Sequence, residues 1–338
     1  MDIASMTVEE ISSHVGDKPY RGKQIFNWIH KQLVTSFEEM TDLPKPFREK
    51  LKLTYSIGSN LRKLKTVYSA DQTTKYLFQA ENNTIIESVY MNYHFGGSVC
   101  LSTQAGCRMG CVFCASGQNG LERNLAPSEL CAQVYNIQRE KPKINHVVLM
   151  GCGEPLDNYE NTVKFIKLIS DENGRQLSRR SITVSTCGLI PQIIKLADEM
   201  PAVTLAVSLH APNDGIRKLL IPAANAFPMP ELLRACSYYT HKTKRQVTYE
   251  YSMIKGVNDS LINARELAKL LKGTISHVNL IRFNELKGLD LRSSTDDTIR
   301  RFADILSGSG IKTTIRRALG NNINAACGQL RNTIFASR

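Results

Sequence analysis

The chain of 338 residues has no apolar run approaching the roughly 18 residues that a membrane-spanning helix needs. Its opening stretch, MDIASMTVEEISSHVGDKPY, lacks a basic segment followed by an apolar core, so no secretory leader is expected. A disulfide framework is missing too: nine cysteines, an odd number, fall without regular pairing, as in proteins of a reducing compartment. A cytoplasmic location with no membrane association is the expectation. No low-complexity linker divides the chain. Acidic residues are in deficit, 31 Asp and Glu against 43 Lys and Arg, for a formal charge of +12. Such an excess favours polyanionic partners through phosphate neutralisation and counterion release, although many basic proteins bind no nucleic acid. The basic residues crowd residues 21–24, 45–52 and 62–65, with others at Arg179, Arg180, Lys242, Lys244, Arg245, Arg316 and Arg317. Any single cluster also fits a solvated surface.

A second metal-binding cysteine pair is likewise absent. Structural zinc sites usually close a tetrahedron from two C-x-x-C-like pairs, or from one pair plus paired histidines. Here Cys107, Cys111 and Cys114 stand alone in GCRMGCVFC. Thiolates are the ligands of iron–sulfur clusters, and a four-iron cluster held by three of them keeps one iron open to a small molecule. Zinc and unliganded buried cysteines are the alternatives. Gly106 and Gly110 suit a loop that needs positive φ and close backbone approach.

With 42% hydrophobic residues the chain supports one large α/β domain plus a smaller one. Residues 1–94 differ in pattern from the remainder of the chain. The segment from Tyr20 to Val34, with Ile25, Trp28, Ile29 and Leu33 at helical spacing, predicts an amphipathic helix, and Phe47 to Leu53 another, opened by Pro44 and Pro46. Thr73 to Tyr93 alternates around Glu81-Asn82-Asn83 and predicts a hairpin. From about Gly97, the runs SVCLSTQ, HVVLMG, SITVSTCG, VTLAVSLH, QVTYEYSM, HVNLIRFN and KTTIRR alternate with helical segments, which argues for parallel βαβ units, six or so, in a complete or partial barrel.

In such barrels the reacting groups gather at the C-terminal strand ends. Those ends carry the cysteine loop, Gly151-Cys152-Gly153-Glu154-Pro155, Ser185-Thr186-Cys187-Gly188, Ser208-Leu209-His210 and Asn284. Taken singly, these read as a glycine turn, a helix cap at Ser185 and a satisfied core histidine at His210. Together on one rim they predict a ligand site. An open iron beside that rim suits S-adenosylmethionine, whose amino and carboxylate groups chelate it and whose sulfonium fragments to a carbon radical on accepting an electron. Gly153 and Glu154 are candidates on the methionine side, Glu154 for the amino group. Ser185 and Asn284 are candidates for the carboxylate or ribose, and the Ser208–His210 backbone for the adenosine. Cys327, in INAACGQLR, reads either as inert packing or as a nucleophile that swings over the barrel mouth, activated by Arg316 or Arg317.

The segments GCRMGCVFCASG, MGCGEPLDN, VSTCGLI, SLHAPND, GVNDS, VNLI and AACGQL resemble, in order and spacing, the radical S-adenosylmethionine RNA methylases of the RlmN and Cfr type, and RlmN most. The likeness covers nearly the whole chain, including YRGKQIFNWIHK and SFEEMTDLP. It implies an α/β fold: a partial TIM-like (β/α)6 barrel over residues 95–320, a small N-terminal α+β accessory RNA-binding domain over 1–94, and a C-terminal segment over 321–338 carrying a methylated cysteine. It implies a [4Fe-4S] cluster on Cys107, Cys111 and Cys114, and S-adenosyl-L-methionine as cofactor. C2 and C8 of adenine are poor nucleophiles, hence a radical route. In this family one S-adenosylmethionine methylates a cysteine, matching Cys327. A second is cleaved to a 5′-deoxyadenosyl radical that takes hydrogen from that methyl group, and the carbon radical adds to the adenine. The crosslink that results is resolved by a cysteine matching Cys100, with a carboxylate matching Glu87 as base. By strand position alone, Cys100 reads as a core cysteine and Glu87 as an exposed residue.

The resemblance further implies 23S rRNA as substrate, for some members also an anticodon-loop adenosine of tRNA, each presenting an extruded base. A flavodoxin or ferredoxin is the implied electron donor, and a monomer is expected. GCGEPL, SLHAP and MIKGVND resemble the C2-specific RlmN branch, whereas LIRFN, with Arg282, is similar to the C8-specific Cfr branch. Three departures stand out: GNNINAACGQL for GDDIDAACGQL, placing Asn321, Asn322 and Asn324; Glu285 for a usual proline; and PAAN at 222–225 for a PIN-type run. They are expected in loops that meet RNA. Two other classes stay open: a radical enzyme acting on a small molecule or protein, which needs neither Cys327 nor Cys100, and a non-enzymatic metal-containing RNA-binding protein.

Overall fold

The computed structural model describes residues 1–18, 20–58, 61–80, 83–286, 288–317 and 319–330, apart from the Asn321 side chain. Three helices come first: α1 (Val8–Val15), α2 (Tyr20–His30) and α3 (Lys45–Thr54). A capping box starts α1, the Thr7 hydroxyl accepting the Glu10 N–H while the Glu10 carboxylate accepts the Thr7 N–H, and Gly16 ends it at φ +60. The apolar spacing overruns α2, since the chain leaves the helix after His30 and Leu33 adopts φ +60 while still packing on the core. Apolar spacing marks burial, not the point where helical hydrogen bonding stops. The second predicted helix appears as α3 with Pro44 as its cap.

An antiparallel meander follows, of β1 (Arg62–Tyr68), β2 (Thr74–Gln79), β3 (Ile85–Tyr93) and β4 (Gly96–Cys100). Next come a short ribbon of β5 (Gln104–Gly106) and β6 (Leu121–Asn124), then α4 (Pro127–Gln138), β7 (Ile144–Leu149), α5 (Tyr159–Ser170), β8 (Ile182–Thr186) and α6 (Ile190–Glu199). The chain continues as β9 (Thr204–Ser208), α7 (Asp214–Leu220), α8 (Met229–Thr243), β10 (Val247–Met253), α9 (Leu261–Leu271), β11 (Ser276–Arg282), α10 (Asp296–Gly308) and β12 (Lys312–Ile315). Among the described residues the main sheet has ten strands in the order β1-β2-β3-β4-β7-β8-β9-β10-β11-β12, parallel from β4 onward. Each of the six strands from β4 to β11 is followed by helix, which makes the partial (β/α)6 barrel that the resemblance implies, with β12 added at its edge. Val147, Val184, Leu205, Val278 and Leu280, all fully buried, join the main hydrophobic core that the strands share with the helices.

The hairpin of β2 and β3 forms as predicted, with Glu81 and Asn82 of its turn outside the described residues. Its burial does not follow the alternation. Both strands are buried on both faces. One face packs on α4, where Ser88 Oγ donates to Gln133 at 2.7 Å, and the other meets a C-terminal stretch, where Lys75 Nζ donates to the Asn324 carbonyl at 3.2 Å. Strand position therefore misplaces Glu87: it is 2% exposed. Because β3 pairs with β4, Val89 opposite Cys100, the hairpin continues the barrel sheet rather than standing apart from it.

The N-terminal helices lie on α4 and α5. The Ser128 N–H reaches Ser5 Oγ at 3.1 Å, Lys164 pairs with Glu10 at 2.9 Å, and His30 bonds the Tyr135 hydroxyl at 2.8 Å. The charges of Arg62, Lys63 and Lys65 project from the exposed edge strand β1. Among the described residues no helix is long and apolar enough to cross a membrane.

Candidate active site

The loop bearing three cysteines is clamped at its base by the β5–β6 ribbon, a feature the sequence did not suggest, and the Cys107 N–H bonds the Gly120 carbonyl at 2.9 Å. Gly106 is at φ +74, and a Cβ there would stand 2.1 Å from that same carbonyl oxygen, so glycine is required. The Val112 N–H donates to the Leu220 carbonyl at 3.1 Å, and Pro222 lies beneath Gly110. PAAN at 222–225, a short 3-10 turn, thus underlies the cysteine loop.

Cys107, Cys111 and Cys114 line a cavity of about 920 Å³, open to solvent, at the C-terminal ends of the strands. Burial pushes the Cys107 thiol up to about 12 and raises Cys111 and Cys114, and Cys111 is raised further by Cys114 and Cys107. The protein alone does not favour three thiolates here. Bound metal deprotonates such thiols outright. Among the described residues no three His, Cys, Asp or Glu side chains gather round a single-ion centre. Three thiolates binding three different irons of a four-iron cluster fit this arrangement better than a lone zinc ion does.

Glu154, 4% exposed, braces two strand ends: Oε1 accepts the Leu156 N–H at 3.0 Å and Oε2 the Cys187 N–H at 2.8 Å. Burial raises its carboxyl, and these amides act against that rise. Gly153, at φ +103, leaves room for Gln104, whose Cβ would lie 2.5 Å from a Cβ at that position. Fully buried Gln104 carries no signal in the sequence. It accepts the Glu154 N–H at 2.8 Å and donates to Asn124 and Asp157, joining the cysteine loop to the Gly-Cys-Gly-Glu turn.

Ser185 and Ser208 line the cavity from the ends of β8 and β9. The expected cap at Ser185 falls instead to Thr186, whose hydroxyl accepts the Gly188 N–H at 3.0 Å, because alternation turns Ser185 to the cavity. His210, at φ +54, accepts the Ser252 N–H at Nδ1 (2.9 Å), which leaves the neutral ring's proton on Nε2. Burial, then Arg217, lowers it to about 3, and Phe113 meets it edge-on at 4.6 Å. It is a satisfied histidine that also lines the cavity. Leu209 does not join it: its side chain is in the core and its N–H bonds the Glu250 carbonyl at 3.1 Å. Glu250 and Ser252 of β10 line the wall instead, and their spacing of two near a strand end was the available signal.

A second cavity adjoins the first, lined by Val89, Met91, Tyr93 and Cys100 on one side and Cys327, Arg316 and Arg282 on the other. Cys327, Asn284 and Arg316 belong to both cavities. Asn284 Nδ2 donates to the Cys327 carbonyl at 3.0 Å. Burial, then Cys327, pushes the Cys100 thiol up to about 12. Cys327, then Glu250, raises Arg316, so of the two candidate arginines Arg316 faces the thiol. Arg317 is exposed and lines only the second cavity. Glu87 lines neither; it sits two residues from Val89 on the same face of β3, paired with Lys75 at 3.1 Å.

Residues 319–330 cross the barrel mouth as a strap. The Gly320 N–H reaches Asp71 at 2.9 Å, Asn322 accepts from Ser69 at 2.7 Å, the Ala115 N–H reaches the Gly328 carbonyl at 2.8 Å, and Ser116 Oγ reaches the Leu330 carbonyl at 2.9 Å. Asn324 holds φ +50, a conformation asparagine tolerates. Arg282 donates to Asp296 at 2.8 Å, and Glu285 accepts the Ser293 N–H at 3.2 Å. The Asn321 side chain and residues 331–338 of the expected C-terminal segment lie outside the described set.

Residues 101–268 match the Radical SAM superfamily, and residues 1–57 match the ribosomal RNA large subunit methyltransferase N-terminal domain. A curated protein of Lachnoclostridium phytofermentans, described as a probable dual-specificity RNA methyltransferase RlmN, is 49% identical over 98% of this chain and 94% of its own length. A protein of Clostridium novyi with the same description is 48% identical over 98% and 97%. Among solved structures, a radical SAM methyltransferase from Sphaerobacter thermophilus superposes with a TM-score of 0.94 at 42% identity, covering 98% of this chain and 99% of that one.

Proposed function

The chain belongs to the RlmN family of radical S-adenosylmethionine RNA methyltransferases, and from that premise we propose that it methylates C2 of an adenine in 23S rRNA and in tRNA by way of a methylated Cys327. Membership makes it an S-adenosylmethionine-dependent RNA methyltransferase and implies a four-iron cluster. The two RNAs follow the dual specificity of its relatives.

The observation that carries the reading is the position of Cys327 in the wall shared by two cavities, one bearing the three cysteines and the other Cys100. The cluster and S-adenosylmethionine, when bound, supply a methyl group and the radical chemistry an unactivated ring carbon requires. Cys107, Cys111 and Cys114 hold the cluster. Gly153, Glu154, Ser185, Ser208, His210 and Asn284 surround S-adenosylmethionine, Leu209 supporting them from the core. Glu154 acts chiefly by fixing two strand ends, and His210 as a neutral donor. Arg316 lines both cavities beside Cys327, whose sulfur accepts the first methyl group. Glu87 removes the C2 proton. Cys100 attacks the Cys327 sulfur of the RNA adduct, forming a Cys100–Cys327 disulfide as the sulfur–carbon bond breaks, and the released carbon takes up a proton to complete the methyl group.

The accessory part over residues 1–94 offers a basic surface to structured RNA. The C2 assignment over C8 rests on the likeness of GCGEPL, SLHAP and MIKGVND to the C2-specific branch. A flavodoxin or ferredoxin as donor, a monomeric protein and a cytoplasmic setting complete the proposal. Nucleoside mass spectrometry of 23S rRNA and tRNA, after incubation with reconstituted protein, S-adenosylmethionine and reductant, tests it. 2-Methyladenosine in both RNAs is expected; 8-methyladenosine, or no methylated adenosine, overturns it.

A further inference from the structure

Lysine is seldom buried unless its charge is paired, yet Lys75 of β2 is 8% exposed. It stands across from Val89 in the β2–β3 ladder, so it shares the face of β3 that carries Glu87, a diagonal neighbour within reach of a long side chain. Its ammonium has three donors. One meets Glu87 Oε1 at 3.1 Å and another the carbonyl of Asn324 at 3.2 Å. Asn324 sits in the strap three residues before Cys327, at φ +50, where the backbone turns its carbonyl away from an extended course. One buried cation thus touches both the proposed base and the segment bearing the proposed methyl-carrying thiol, groups far apart in sequence. Among the described residues the strap is also bonded to Ser69, Asp71, Asn284, Ala115 and Ser116.

We infer that Lys75 is a positioning residue, a charged latch that ties the Cys327 strap to Glu87 and keeps thiol and base in one register over the adenine. The inference rests on the proposed roles of Cys327 and Glu87. Charge-assisted hydrogen bonds are the stronger class, and a buried site strengthens them further. With methionine at position 75 the strap loses its bond to β2 while the stem still fills the space. With arginine the charge and donors persist.

The test reads the strap without RNA. Holoprotein is exposed to iodoacetamide, and alkylation of the peptide carrying Cys327 is followed by mass spectrometry. Lys75→Met is expected to raise that rate by about tenfold, the size of change a lost charge-assisted hydrogen bond produces, and Lys75→Arg to stay within about twofold of wild type. Alkylation of Lys75→Met at the wild-type rate overturns the latch, as does Lys75→Arg reacting as fast as Lys75→Met. Should Lys75→Met not fold, Lys75→Gln, which keeps a donor without the charge, is expected to fall between the two; a wild-type rate there overturns the latch equally. In RNA methylation, Lys75→Met is expected to lower kcat with KM for RNA unchanged, and a rise in KM alone contradicts the inference. Because alkylation involves no RNA, a C8 product from wild-type enzyme would overturn the proposed function and leave this test standing.

Discussion

The two cavities that meet at Cys327 are built in opposite ways. The one over the strand ends is knitted into the sheet: Gln104 makes three side-chain bonds across the cysteine loop and the second strand end, Glu154 holds two backbone amides, and Asn158 Nδ2 donates to the carbonyls of both Thr103 and Leu125. The other is closed by the strap, fastened by single hydrogen bonds to partners remote in sequence. A pocket that must orient a cofactor gains from fixed walls. A thiol with the role proposed for Cys327, accepting a methyl group on one side and delivering carbon on the other, needs a carrier whose bonds are few and separately breakable. The difference in construction matches that division of labour.

The comparison breaks most sharply under cysteine replacement. Replacing Cys107, Cys111 and Cys114 together by alanine is expected to abolish both the brown colour of the cluster and RNA methylation, whereas Cys327→Ala is expected to abolish methylation while colour and S-adenosylmethionine binding persist. Absorption spectra and equilibrium binding on the two variants separate the cavities; a Cys327→Ala protein that loses colour would make the strap part of the cluster site. Next in size, Glu154→Gln sets an amide donor against one of the two backbone N–H groups and is expected to cost about 1–3 kcal/mol in denaturant unfolding, with weaker S-adenosylmethionine binding. A variant unchanged in both would remove Glu154 from the rigid wall.

The smallest effect concerns the strap's far anchor. Burial works to raise Asp71, but the Gly320 and Thr73 amides and the Ser69 and Thr73 hydroxyls bring it from the ordinary 3.8 to about 2. A carboxyl lowered on folding contributes stability that is full above its unfolded value and is lost as pH falls through its folded value. Strap docking should therefore weaken between about pH 4 and pH 2. Asp71→Asn is expected to flatten that part of the acid unfolding curve, and an unaltered curve would dismiss the anchor.

Much of this was legible in the residues. All seven strand runs predicted from Gly97 onward form strands, and the cysteine loop and polar strand ends converge because parallel βαβ units put their C-terminal ends on one side. What escaped depended on partners distant in the chain. Alternation in β3 marks Glu87 as exposed, since the segment that covers it arrives more than 230 positions later, beyond any local pattern. Ser185 and Thr186 are adjacent polar residues, and only the direction in which β8 enters the sheet decides which faces the cavity and which bonds the backbone. Gln104 showed no motif, being a hub through geometry alone. Leu209 drew attention from polar neighbours while its own side chain obeyed hydrophobicity. The departures divide likewise: PAAN supports the cysteine loop, and Asn322 and Asn324 fasten the strap, so three of these changes touch the site's supports rather than an open RNA surface.

The most direct test of Cys327 as the station between the cavities uses Cys100→Ala. That variant is incubated with S-adenosylmethionine, reductant and 23S rRNA, digested with nuclease and protease, and the Cys327 peptide is weighed. The account expects a nucleotide joined to Cys327 through one carbon, held there because no thiol resolves it. An unmodified Cys327 beside normally methylated RNA would contradict it.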